Sequence, residues 1–212
     1  MKKINSLSDL LMDELAGLLS AENLLIKSLT EIALACESSG LSFVLEEHAA
    51  TSMNQARRLQ DIFNNIGQNP PKVICEPIKR SISEAQGIIK KTPQGPARDT
   101  ALISTASRIE QYEIDKYQEV LEHALILGHT QMVELLNKSI QEERLMNFYL
   151  NELAQYMINV QAIGSKLSHK VQSPVKNGRV NIREGFNRKT AKKKFKDREI
   201  SRYIDEGDSN TL

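Results

Sequence analysis

A chain of 212 residues with 40% hydrophobic content is long enough for one domain with a substantial core and too short for two full ones. Aromatic residues make up 5%, Trp is absent, and Leu, Ala, Glu, Lys and Gln dominate, a composition suited to helices packed through aliphatic side chains. The net charge of +1 hides an asymmetry: residues 1–159 hold 15 basic and 21 acidic residues, whereas residues 160–212 hold 13 and 6. No secretory segment and no apolar run of roughly 18 residues is present, which predicts neither export nor membrane insertion. Cys36 and Cys75 lack metal-ligand spacing and are too few for a disulfide framework, which points to a reducing compartment, the cytoplasm.

The first element begins at Ser6, which with Asp9 three residues on resembles a capping box. Leu7, Leu11, Leu15, Leu18, Glu22, Leu25, Leu29, Ile32 and Cys36 then recur at steps of three and four, predicting a helix to about residue 37. Gly40 is expected to break the pattern. A second helix follows along Leu41, Val44, His48, Ser52, Gln55, Leu59, Ile62 and Ile66, with an unusually polar middle, and stops at Gly67 and Pro70-Pro71. A short connector helix is predicted over 76–90, edged by Ile78, Ile82, Ala85 and Ile89.

Gly95-Pro96 opens the next long helix, with Leu102, Ala106, Glu110, Glu113, Tyr117, Val120, Ala124 and Leu127 on one face and a stop at Gly128. Thr130 is expected to cap the last, which carries Met132, Leu136, Ser139, Glu143, Met146, Leu150, Leu153 and Met157 inward. Two short connections and one long one give an all-α fold. It is a ferritin-like four-helix bundle with one long crossover carrying a short extra helix. Residues 1–164 are expected to form this domain, and 165–212 a basic, mostly disordered tail with seven basic residues from Arg188 to Arg198.

Glu22, Glu110, Glu113 and Glu143 each interrupt an apolar row, and Glu47 with His48 lies close to another. An ionised carboxylate in a bundle core costs several kcal/mol unless it is paired, protonated or metal-bound. One such Glu usually marks the margin of a stripe; four or five near mid-helix call for a counter-charge. Arg108 and Arg144 are the nearest cations in sequence and are displaced from the stripes, so a divalent metal is the economical partner. Oxygen ligands with an imidazole suit iron or manganese, and zinc as a further choice. Glu22, His48, Glu110, Glu113 and Glu143 are the candidate ligands. His123, His129 and His169 are expected to face solvent. Tyr112, Tyr117 and the core methionines are read as packing residues.

These residues resemble the bacterial ferritin-like proteins of the YciE/YciF type. The likeness rests on Leu18-Leu19-Ser20-Ala21-Glu22-Asn23, Phe43-Val44-Leu45-Glu46-Glu47-His48 and Arg57-Arg58-Leu59 in the first pair of helices, then Cys75-Glu76. It continues through Arg98-Asp99-Thr100-Ala101-Leu102-Ile103, Arg108-Ile109-Glu110-Gln111-Tyr112-Glu113-Ile114, Leu127-Gly128-His129 and Gln141-Glu142-Glu143, covering residues 6–158 in order. The resemblance implies a five-helix ferritin-like domain, a dinuclear metal site on Glu22, His48, Glu110, Glu113 and Glu143, homodimers, and association with bacterial stress responses. The chain departs from that pattern at Thr51, Gln55 and Asn147, and has no Glu-x-x-His motif.

Two functions follow as expectations. The first is a stress-associated protein that binds iron or another divalent metal in the bundle core. The alternative is a non-enzymatic helical assembly or partner-binding module with a degenerate metal site. The tail is read as a solvated segment, with weak nucleic-acid contact by counterion release as a further role.

Overall fold

The structure, a computed structural model, describes the backbone of residues 3–168 and the side chains of residues 3–157. Five helices follow one another: α1 (Leu7–Ala35), α2 (Ser39–Asn65), α3 (Glu76–Lys91), α4 (Pro96–Ile126) and α5 (Thr130–Ser168). The described residues contain no strand. α5 runs past the expected boundary at 164, and the tail from residue 169, including His169, lies outside the described residues.

Local chemistry explains the helix ends. Ser6 Oγ accepts from the Asp9 N–H at 3.1 Å, while Asp9 Oδ2 accepts from the Asn5 N–H at 3.3 Å and satisfies a second donor at the start of α1. Gly40 does not break a helix as expected. Ser38 Oγ caps α2 by accepting from Leu41 N–H at 3.3 Å, and Gly40 sits buried in the first turn. Nor is Thr130 the cap of α5: His129 supplies the first acceptor, to Val133 N–H at 3.1 Å, so Thr130 is already helical. Gly128, at φ 74°, ends α4 in a left-handed conformation that only glycine adopts without strain. Its N–H reaches Leu125 O and that of His129 reaches Ala124 O, both at 3.0 Å, which closes the helix.

Contacts at the two ends of α4 fix its direction. Asp99, in its first turn, accepts from the N–H groups of Glu37 at 3.1 Å and Ser38 at 2.6 Å, so α4 starts beside the α1–α2 turn. His123, near its end, meets Glu14 in the early part of α1 at 2.7 Å. α4 therefore runs antiparallel to α1. The tight turns make α2 antiparallel to α1 and α5 antiparallel to α4, and α2 also packs on α5. Each long helix thus lies between two antiparallel neighbours in a four-helix bundle, and α3 packs across α1 and α4. Asp99→Ala should destabilise the protein by about 1–3 kcal/mol in urea denaturation, because it strands two backbone donors at the turn that registers α1, α2 and α4.

The apolar core is divided. One cluster joins Leu25, Leu29, Leu41, Leu45, Ile78, Ile103 and Leu150, and the other joins Leu11, Leu15, Leu59, Phe63, Tyr117, Val120 and Leu136. A fully buried leucine or isoleucine contributes about 1.5–3 kcal/mol, so both clusters hold the bundle together. Between them, at mid-height, the inward positions are Glu22, His48, Ser52, Gln55, Glu110, Glu113 and Glu143. A polar layer thus crosses an otherwise aliphatic bundle.

Candidate metal centre

Every long helix contributes to this layer: Glu22 from α1, His48, Ser52 and Gln55 from α2, Glu110 and Glu113 from α4, and Glu143 from α5. Glu110 and Glu113 are three residues apart, which places both on the inward face of α4. His48 and Gln55 are separated by about two helical turns and so share the inward face of α2.

The structure brings four of the five expected ligands together. His48, Glu110, Glu113 and Glu143 each offer one ligand atom, and these atoms lie within 4.8 Å of one another, all of them buried. His48 Nδ1 is 2.8 Å from Glu110 Oε1, and its Nε2 is 3.4 Å from Glu113 Oε2 and 3.9 Å from Glu143 Oε2. These are ionic contacts without the alignment of hydrogen bonds, so both oxygens of Glu110, both of Glu113 and Oε2 of Glu143 remain without a donor. Glu22 stands in the same layer outside that set, its Oε1 accepting from the Tyr117 hydroxyl at 2.6 Å and its Oε2 unpartnered.

The electrostatics follow from crowding acids in a dry space. Burial pushes the Glu22 carboxyl well above its ordinary value, and the nearby Glu113 adds to the rise. Burial raises Glu113 likewise, and raises Glu143 well above its ordinary value together with Glu113 and Glu110. Burial opposes a charge on His48. That is the largest single effect, but Glu110, Glu113 and Glu143 together outweigh it, so the imidazole holds its proton well above the usual range.

Three groups at this site were not among the ligands expected from the sequence. Tyr117, read as packing, is fully buried and donates to Glu22. The Gln55 amide donates to Glu143 Oε1, and Ser52 lies beside Glu22. The signal was the polar middle of α2, where Ser52 and Gln55 continue the register of His48. Other expectations need correcting. Glu47 is exposed on the outer face of α2, one helical position away from the inward row. His123 does not face solvent: it is 19% exposed and held by Glu14. Arg108 and Arg144 are exposed, off the buried rows as expected, and a buried cation beside the layer is Arg58, which forms a two-pronged pair with Glu142. Replacing Tyr117 by Phe should cost about 1–3 kcal/mol in urea denaturation, since it leaves Glu22 without its hydroxyl donor while keeping the ring in place.

Bundle connectivity and this buried acid layer together define a ferritin-like helical protein. The chain belongs to the family described as "Domain of unknown function (DUF892)", which matches residues 6–163. It is 28% identical over 160 residues to protein YciF of Escherichia coli K12, covering 75% of this chain and 96% of that one. The crystal structure of the E. coli stress protein YciF superposes with a TM-score of 0.71 at 27% identity, covering 74% of this chain and 99% of that one. YcfI of Rhodopseudomonas palustris gives 0.68 at 30% identity over 71% and 96%. A dodecameric thioferritin from Bacteroides fragilis gives 0.56 at 18% identity over 76% and 91%, a likeness of fold.

Proposed function

We propose that the polar layer is a metal centre in which His48, Glu110, Glu113 and Glu143 hold a divalent ion, iron or manganese in preference to zinc. The observation that carries this reading is the set of donor-less carboxylate oxygens, buried on three sides of one imidazole. Natural cores leave few buried polar atoms unsatisfied. Here the carboxylate oxygens of α4 and α5 converge on the imidazole of α2, and among the described residues no Lys or Arg is paired with the group. Three carboxylates and one imidazole nitrogen form a hard, mixed donor set suited to iron or manganese. A bound ion would supply Lewis acidity and, for these two metals, a one-electron couple. The chain's own residues supply placement: Gln55 orients Glu143, Tyr117 anchors Glu22 beside the site, and the two apolar clusters keep bulk water away.

Metal analysis of protein purified without chelators tests the reading, together with a thermal shift on adding Fe(II) or Mn(II). Stoichiometric metal and a raised melting temperature are expected. Absence of both would overturn it.

A second reading has its own observation. The imidazolium of His48 already offsets part of the acid charge, as an internal counter-ion would in a helical assembly or partner-binding module whose metal site has degenerated. Such a protein would show no metal-induced stabilisation.

The compartment we propose is the cytoplasm, in keeping with two buried free thiols; no described helix is long and apolar enough to cross a membrane. A stress-associated role, as the name of the E. coli relative states for that protein, and a homodimer complete the proposal. Sedimentation at equilibrium checks the dimer. Deleting residues 165–212 checks the tail: if it touches nucleic acid by counterion release, salt-dependent retention on DNA disappears with it.

A further inference from the structure

We propose that the ion reaches the layer through the wall between α2 and α5, with the Glu142 carboxylate as its first docking group and the Arg58 guanidinium as the group that gives way; the inference rests on the metal-binding reading above. His48 and the four inward glutamates are at most 1% exposed, so an ion has to cross the bundle to meet them. Along the axis the way is closed by the two apolar clusters, where a dication would find no ligand.

Three of the four walls are closed as well. The α1–α2 and α4–α5 hairpins share the most extensive packing of the bundle. Over the α1–α4 wall lies α3. At its start the Cys75 N–H donates to Ser20 Oγ on α1 at 3.0 Å, and Cys75 Sγ lies 3.3 Å from the hydroxyl of Tyr112, the neighbour of Glu113 on α4. No described helix packs across α2 and α5 as α3 does across α1 and α4.

Polar groups cross that fourth wall from water to the layer. The Glu142 side chain, 29% exposed, stands at the outer end. Next inward is the buried Gln55, whose amide donates to Glu143 Oε1 and lies in hydrogen-bonding reach of Glu142. Gln55 Oε1 has no donor, so it offers a neutral oxygen to a passing cation. Glu143 Oε2, 3.9 Å from His48 Nε2, is the inner end. A cation handed from carboxylate to amide to carboxylate is never stranded in hydrocarbon.

Arg58 holds the mouth. One turn from Gln55 on α2, it grips both oxygens of Glu142, its Nη1 at 3.1 Å from Oε1, while its Nε is buried without an acceptor. The charge of Lys138 also acts on Glu142. A guanidinium on a long stem turns outward without moving the backbone, and a dication competes for the same carboxylate with twice its charge.

Arg58→Gln removes the charge at the mouth and leaves Glu142 to water. Loading of the metal-stripped full chain with Mn(II), followed by the solvated-ion signal in electron paramagnetic resonance, and release to excess chelator should both be faster by about tenfold or more, because two charge-assisted hydrogen bonds no longer have to open. The equilibrium affinity should change much less. A purely structural pair would move the melting temperature and neither rate. Arg58→Lys, which keeps charge and stem but loses the two-pronged grip, should fall between, and carries the test if Arg58→Gln does not fold. Tyr112→Phe, on the covered wall, should load at the wild-type rate. Wild-type rates in the folded Arg58 variants, or acceleration by Tyr112→Phe instead, would overturn the route and leave the metal reading standing. So would faster loading matched by an equal gain in affinity with release unchanged, which would make Arg58 only a distant repelling charge. No Mn(II) binding by the wild type would bring down both.

Discussion

Replacing Glu110 and Glu143 together by Gln should abolish the stabilisation conferred by iron or manganese while leaving the metal-free protein as stable as the wild type or more so. The wild-type gain follows from mass action: an ion present at about a thousand times its dissociation constant stabilises the native state by about 4 kcal/mol. For a chain of this size that is a rise of roughly 8–16 °C in melting temperature. Removing two of three carboxylates leaves His48 and Glu113, a pair too weak in charge and number to hold the ion at that concentration. The metal-free comparison discriminates further. Each substitution exchanges a buried carboxylate with at least one oxygen lacking a donor for a neutral amide of nearly the same shape, so the cost of burying charge falls. A variant that keeps the full shift would place the ion elsewhere. A wild type that shows no shift with iron, manganese or zinc would instead favour the assembly module with a degenerate site.

The same residues show why the fold was more legible than the site. Period-3.6 rows such as Leu11-Leu15-Leu18 and Leu25-Leu29-Ile32 name a buried face without knowledge of its partner. One long and two short connections then leave few ways to pack four helices. Errors occur where a single residue has two uses: Gly40, a stop signal by type, is tolerated in the first turn of α2 because Ser38 already caps it. The site depends on lateral geometry that one helix cannot reveal. Sequence spacing puts Glu22 at mid-helix along with the other acids. Only the register of α1 against α4, fixed by Asp99 at one end and Glu14–His123 at the other, hands it to Tyr117 and leaves it out of the converging four. Glu47 shows the reverse. Adjacent to His48 in sequence, it lies about 100° round the helix and so faces water. Gln55 was visible as an interruption of an apolar row, but an amide that restrains a carboxylate looks, in sequence, like a lost ligand.

The metal-free protein should lose stability as pH rises from about 5 to 8, and the metal-loaded protein should gain relative to it over the same interval. Glu22, Glu113 and Glu143 have folded-state pKa values raised above the ordinary 4.5, and His48 above the ordinary 6.5. A raised folded pKa means that the native state retains a proton which the unfolded chain has already released. The stability it contributes is complete below the unfolded value and is lost as pH climbs through the folded one, at about 1.4 kcal/mol per pH unit for each retained proton. Acids and imidazole act here with the same sign, and burial raises Glu14 and Glu142 in the same direction. Glu119 is lowered, chiefly by its bond to Lys116, and acts only below the ordinary carboxylate range. Binding an ion requires those protons to leave, so affinity strengthens with pH and the two stability curves diverge. Urea denaturation of metal-free and Mn(II)-saturated protein across this range measures both. Curves that run parallel would mean that the ion displaces no protons from the layer, and with that the metal would have to be sought outside it.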